Sequence, residues 1–499
     1  MERRKTYLNH IDENFSVKLP FILNDQQKEV IREIDKFVHD PFDRVMTISG
    51  WAGTGKTTLM EIVKGRYWST GPNIHFAATT HKAAAVLKTK VNKKVSTVNS
   101  LFGILVEVDM DNDVFDVSKK KRKLDSEKLT TGSLVVIDEA SMLSEENYHD
   151  VIEKCRNFNC KVLFIGDSAQ LAPVNEDDIS IVFRNDSVDS KQVIELTKVE
   201  RTDEVPILDE ATTVRLNGNL SYKTNVNEHG GVQYIRKPEE LVNIIDEHIG
   251  GLKDDPNHFR ILTYTNKSVE KLNQIIRQKL GYGRLPEPGE PLMSYSNWKY
   301  IGNNTYAFIN SESYKVDKIV GERKEDLKDI LKEYDGDLII PVVDIQVVDA
   351  LGKKQTIPYI DVKNNKETIP AVELICREKI KLWKKYRDID GTSIQGKIQK
   401  RECIDEINAL DDFLFVNDNI IDVYGNILQS KVVDFGYAHT IHKSQGSTFN
   451  VVLMNDMDIE NNCHDKMIRQ QLRYVGLTRA KQLVVILTNI EEGGNGTCA

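Results

Sequence analysis

Gly50-Trp51-Ala52-Gly53-Thr54-Gly55-Lys56-Thr57 is a glycine, four residues, then Gly-Lys-Thr, and its flanks matter as much as the pattern. Val45-Met46-Thr47-Ile48 before it reads as a buried strand and 57–69 after it as a helix. This is the strand–loop–helix context that a phosphate-binding loop requires. Glycines let the backbone turn its N–H groups inward around phosphates, and the helix N-terminus adds partial positive charge. Gly50, Trp51, Ala52, Gly53, Thr54, Gly55, Lys56, Thr57 and Thr58 therefore stand as nucleotide-binding residues. Lys56 is the expected cation on the β- and γ-phosphates of ATP, and the Thr57 hydroxyl an expected ligand of Mg²⁺. Leu134-Val135-Val136-Ile137-Asp138-Glu139 is an apolar strand that ends on two acids. Asp138 is the expected metal carboxylate, and Glu139 the expected general base that polarises the attacking water.

The same alternation continues outward. Residues 74–78 and 161–165 are short apolar runs bounded by polar turns, as buried parallel strands are. A second set follows at 260–264, 451–454 and 483–487, around helical stretches at 266–280 and 464–475. The expected class is α/β. At 499 residues the chain has room for about three domains. No apolar run approaches the roughly 20 residues that span a bilayer, and Met1-Glu2-Arg3-Arg4-Lys5 is not followed by the apolar segment of a secretory signal. No membrane partner and a cytoplasmic location are expected. Six cysteines without Cys-x-x-Cys or Cys/His spacing argue for a reducing compartment and against structural zinc. The net charge of −9 excludes a uniformly basic nucleic-acid coat but allows a local basic channel.

The loop and the acid pair imply nucleotide hydrolysis and no more. Further stretches narrow the class. Gly166-Asp167-Ser168-Ala169-Gln170-Leu171-Ala172-Pro173-Val174 resembles the GDxxQLxPV motif of superfamily 1 helicases, and Leu23-Asn24-Asp25-Gln26-Gln27 resembles their Q motif. Ala77-Ala78-Thr79-Thr80-His81-Lys82 is similar to motif Ia, and Ser96-Thr97-Val98-Asn99 to motif Ib. His439-Thr440-Ile441-His442-Lys443-Ser444-Gln445-Gly446 resembles motif V, and Tyr474-Val475-Gly476-Leu477-Thr478-Arg479-Ala480 motif VI. With the runs at 196–201 and 265–273, the chain resembles the RecD-like superfamily 1B DNA helicases, and within them the phage Dda group.

That resemblance implies two RecA-like P-loop NTPase domains with ATP between them. Gln27 has the amide geometry to pair with adenine, or else it caps a helix. Gln170 would sense the γ-phosphate. Arg479 and Arg201 are candidate arginine fingers, and Gly446 brings the second unit to the nucleotide. Phosphates of the strand would meet Thr79, Thr80, His81, Lys82, Thr97 and Asn99 from the first unit, and Thr440, His442 and Lys443 from the second. Thr80 can equally be a helix N-cap. Asn99 stands where the family often has His.

The expected division is 1–201 for the first RecA-like domain, with a small β-hairpin insertion at about 103–131. The second RecA-like domain is split into 202–299 and 431–499. Between its parts, 300–430 reads as a β-rich inserted domain, with strand-like pieces at 338–348, 355–362 and 369–375 and a charged helical stretch at 376–413. The resemblance makes the hairpin a strand-separation pin with Met110 and Phe115 at its apolar end; the alternative is a hairpin that packs Phe115 into its own small core. A basic run, 119–123, follows. The expected function is an ATP- and Mg²⁺-dependent DNA helicase acting on single-stranded DNA and forked duplexes, 5′→3′ by resemblance alone. The expected setting is phage or bacterial replication, recombination or repair, in the host cytoplasm if the chain is a phage's. A single-stranded-DNA-binding protein or other replication proteins are conceivable partners. The rivals are an RNA helicase, a translocase that does not unwind, and an ATP-gated nucleic-acid-binding switch, against which Glu139 and Arg479 speak.

Overall fold

The computed structural model describes residues 6–12, 15–67, 71–104, 129–173, 176, 179–184, 193–199, 205–255, 257–299, 306–329, 339–349 and 352–490. The insertion expected as a hairpin, with Met110, Phe115 and the basic run, lies outside these residues, as does Arg201.

Leu134-Val135-Val136-Ile137 shows how the first unit is built. Successive side chains of a strand point to opposite faces. Leu134 and Val136 enter one apolar cluster, with the helices Asp25–His39 and Lys56–Tyr67. Val135 and Ile137 enter another, with the helix Glu145–Asn157. A strand covered on both faces has no polar side to show, so its sequence is apolar throughout. Six strands pair in parallel in the order Val95–Thr97, Ile74–Ala78, Leu134–Asp138, Lys161–Gly166, Val45–Gly50, Val193–Leu196, the four central ones buried in this way.

The second unit repeats the plan. Its sheet runs Ala438–Thr440, Phe259–Thr263, Phe449–Asn455, Ala480–Leu487, Gly230–Ile235, Asn225–Asn227, and the last strand alone is antiparallel to its neighbour. Leu262, Val452 and Val484 feed one core cluster, while Ile261, Val451 and Val485 feed the other.

Between the parts of this sheet lies an antiparallel five-stranded sheet, ordered Lys354–Tyr359, Ile339–Val348, Ser313–Asp326, Pro291–Ser294, Val433–Phe435. It reaches beyond 300–430 at both ends, because Pro291–Ser294 and Val433–Phe435 pair inside it. The strand expected at 369–375 is instead the start of the helix Ile369–Asp388. Pro370 is preorganised for a first helical turn, and Ala371, Val372, Ile375 and Cys376 are buried at helical spacing, which outweighs the β-branched composition. A second helix, Ile394–Asp411, completes the charged stretch. The five cysteines among the described residues are buried and free. No described helix is long and apolar enough to cross a membrane.

Candidate nucleotide site and strand-binding face

Parallel sheets present functional groups at the carboxyl ends of their strands. Across the first sheet those ends deliver Thr97, then Thr79 and Thr80, then Asp138 and Glu139, then Asp167 and Gln170, then the phosphate loop.

In the loop, Lys56 Nζ donates to the carbonyls of Gly50 at 2.5 Å and Trp51 at 3.1 Å. Gly55 has φ +89°, a left-handed conformation natural to glycine, and a Cβ there would stand 2.6 Å from Gln27 Nε2. Gln27 is thus a brace. Its Nε2 donates to Thr54 O at 2.9 Å, and its Oε1 accepts from the Asn24 amide at 3.1 Å, closing a capping box on the first helix. Both ends of the Gln27 amide are bonded inside the protein, which is the helix-capping alternative to adenine pairing.

The acid pair is strained. Glu139 has φ +52°, uncommon for a residue with a side chain and typical of functional sites. Its amide donates to Asp138 Oδ1 at 2.9 Å. Glu139 Oε2 and Gln170 Oε1 are buried without a hydrogen-bond partner. Such orphans are costly and call for an explanation. Burial first, and the neighbouring Glu139 second, push the Asp138 carboxyl well up from its ordinary value. Buried oxygen acceptors without a hydrogen-bond partner fit a hard metal ion and its water.

The second unit reaches into this site. The Tyr474 hydroxyl donates to Asp167 Oδ2 at 2.6 Å and accepts from the Ala52 amide of the phosphate loop at 2.9 Å. Gln445 Nε2 donates to Leu171 O at 3.4 Å. Gly446, at φ +72°, follows it. Arg479 is buried, and its guanidinium donates to Val475 O, Ser447 O and Thr478 Oγ1, all in its own unit. Arg215 crosses to the first unit instead, pairing with Asp167 and lying 4.8 Å from the Trp51 ring centroid. Sequence reasoning missed it. It lies in the last turn of the helix Val205–Asn217, outside every motif, and its only local mark is the following Asn217-Gly218 stop.

The candidate strand-binding face draws on both units. Thr80, Thr97 and Thr440 are N-caps whose hydroxyls accept from the amides of Ala83 at 3.1 Å, Ser100 at 3.2 Å and Lys443 at 3.3 Å. Each keeps its O–H for another partner. Thr79 Oγ1 donates to Glu139 O at 3.3 Å and so ties this face to the acid pair. Lys82 Nζ donates to Ser311 O at 3.1 Å, and Lys443 Nζ to Asn310 Oδ1 at 3.3 Å, so one loop of the inserted sheet touches both units. Lys443 also lies 4.3 Å from the Tyr295 ring centroid. Burial lowers Lys82, and burial with nearby Lys431 brings Lys443 down to about 8. His442 is half-buried near Tyr264 and lowered by that burial. His81 and Asn99 are half-buried, and the Asn99 carbonyl accepts from Ile104 N at 2.9 Å.

Comparison with known proteins adds kinship. Residues 22–237 match the family model described as AAA domain, and residues 435–487 the UvrD-like helicase C-terminal domain. Over 265 residues the chain is 33% identical to the ATP-dependent DNA helicase dda of Enterobacteria phage T4, covering 52% of this chain and 57% of that one. It is 24% identical over 512 residues to an uncharacterized protein of Acanthamoeba polyphaga mimivirus, covering 92% and 99%. Among solved structures, Bacteroides Pif1 bound to single-stranded DNA is similar at 18% identity and TM-score 0.48, covering 95% and 93%.

Proposed function

We propose, from the premise that this chain belongs with the superfamily 1B helicases as a relative of the phage Dda helicase, that it hydrolyses ATP to move along single-stranded DNA and open duplexes. One observation carries the reading. The phosphate loop lies at the same carboxyl-terminal edge of one sheet as Thr79, Thr80 and Thr97, and Tyr474 of the second unit is hydrogen-bonded to that loop.

Lys56, seated on the Gly50 and Trp51 carbonyls, is positioned to exchange them for the β- and γ-phosphates. Glu139 takes the proton of the attacking water through its free carboxylate oxygen. Gln170 orients that water and senses the γ-phosphate. Thr57 and Asp138 would hold Mg²⁺, which supplies charge neutralisation on the β- and γ-oxygens when bound. Arg479 and Arg201 are the arginines assigned to the γ-phosphate; Arg479 reaches it by leaving Ser447 and Thr478 as the cleft closes. Lys82 with Thr80, and Lys443 with Thr440, then hold the strand in alternation as the units approach and part. The 5′→3′ direction and a role in replication, recombination or repair rest on family resemblance.

Forked duplexes with a 5′ or a 3′ single-stranded tail test this. ATP-dependent strand displacement from the 5′ tail is expected, with hydrolysis stimulated by single-stranded DNA. Hydrolysis without displacement on either fork would make the chain a translocase or a switch, and preference for RNA tails would make it an RNA helicase.

A further inference from the structure

Arg215 gathers more cross-unit contacts than its sequence position suggests. Its NH1 donates to Asp167 Oδ1, and its NH2 donates to Ser168 Oγ at 3.2 Å and Glu195 Oε1 at 3.3 Å. Its guanidinium carbon lies 4.8 Å from the Trp51 ring centroid and 5.5 Å from that of Tyr474. The Asp167 side chain is 0% exposed and that of Arg215 8%.

Asp167 is held from the second unit by Arg215 and Tyr474 together. Those residues form one body, because Gln470 Nε2 donates to Val214 O at 2.9 Å and Arg215 O at 2.7 Å, locking the helix Val205–Asn217 to Lys466–Leu477. On the first-unit side, Asp167 holds the turn that carries Gln170. The Ala169 amide donates to Asp167 Oδ1 at 3.1 Å, and the Gln170 amide to Asp167 O at 3.1 Å. Glu195, the other carboxylate on Arg215, accepts from Trp51 Nε1 at 2.9 Å in the phosphate loop. One guanidinium therefore links the second unit to both the Gln170 turn and the phosphate loop.

We propose that Arg215 is a positioning residue: it transmits movement of the second unit to Gln170 through Asp167, and to the phosphate loop through Glu195 and Trp51, so that hydrolysis answers to the bound strand. This rests on the helicase reading. A planar, bidentate, stacking cation performs this task and an ammonium does not. Arg215→Ala would strand a buried carboxylate and is apt to unfold, so Arg215→Lys is the informative variant.

The test measures steady-state ATP hydrolysis with and without oligo(dT), together with thermal unfolding. For Arg215→Lys the ATP KM and the strand-free kcat should stay within about twofold of wild type, while stimulation by oligo(dT) falls roughly tenfold. Because Tyr474 acts through the same carboxylate, Tyr474→Phe should lower stimulation too, and the double variant should lose less than the product of the two. Equal losses with and without oligo(dT), or unchanged stimulation, would overturn the proposal. A wild-type protein whose hydrolysis ignores oligo(dT) would overturn the helicase reading itself, and this coupling with it.

Discussion

Glu139 is held in a left-handed backbone with one carboxylate oxygen unsatisfied, an arrangement a merely structural acid has no reason to keep. Glu139→Gln preserves shape and removes the base. Turnover should fall by roughly 10²–10⁴-fold while nucleotide affinity holds, as steady-state hydrolysis and titration with a fluorescent nucleotide will measure; wild-type turnover would refute the assignment. Lys443 gives a second prediction. Burial lowers its ammonium to about 8, so the charge that attracts phosphate is present below that pH and lost above it. Affinity for single-stranded DNA should then weaken by at most about tenfold per pH unit above 8, since binding must take up a proton. Lys443→Arg should flatten that dependence, because guanidinium stays charged. Anisotropy titrations between pH 7 and 9.5 will show whether it does.

At the scale of elements, the threonines at the strand ends are N-caps to which a second, strand-holding job is proposed. Thr80 closes the first turn of the helix His81–Val91 and is proposed to contact the strand as well. A lost N-cap costs about 1 kcal/mol, so an affinity loss in Thr80→Ala alone is ambiguous. Thr80→Asp separates the roles. Its carboxylate caps as well as threonine but repels phosphate. Thermal unfolding of Thr80→Asp should match wild type while its affinity for oligo(dT) falls; equal affinity would leave Thr80 a cap and nothing else. Gly476 shows the same economy in the helix Lys466–Leu477. A Cβ there would meet Met454 Sδ at 2.5 Å, so a bare backbone lets the helix that carries Tyr474 lie close on its sheet.

At the scale of the molecule, a loop of the inserted sheet closes the proposed strand-binding face. Asn310 and Ser311, the latter at φ +66°, present oxygens to Lys443 and Lys82, where phosphates of a strand are expected. A bound strand competes for those cations. Hydrogen exchange at 309–312 should therefore rise when oligo(dT) binds, whereas unchanged exchange would mean that the strand runs elsewhere. The segment expected from sequence to carry a pin makes the complementary prediction. Met110→Ala with Phe115→Ala should lower strand separation sharply and leave DNA-stimulated hydrolysis intact, because a pin replaces lost base stacking without touching the engine. Unwinding per ATP equal to wild type would place the pin in the inserted domain.

Local chemistry was readable from residues close together in the chain. Gly50 to Thr57 and Asp138-Glu139 carry their meaning in a few consecutive positions, and the parallel sheets follow from apolar runs buried on both faces. The threonine caps were half-readable, since a cap and a phosphate contact ask for the same hydroxyl. Three features needed the folded chain. Gln27 looks free to read a base until the Thr54 carbonyl arrives 27 residues later. Arg215 is an ordinary helix-end arginine until Asp167, 48 residues before it, and Trp51 close around it. The inserted sheet takes hold of Lys82 across 229 residues, and its edge strand Val433–Phe435 joins Pro291–Ser294 only when the chain returns from the insertion. Spacing along a chain reports neighbours within a turn or a strand. The partner of a buried charge is chosen by where the backbone returns, and that is decided by packing the two sheets and their insertion together.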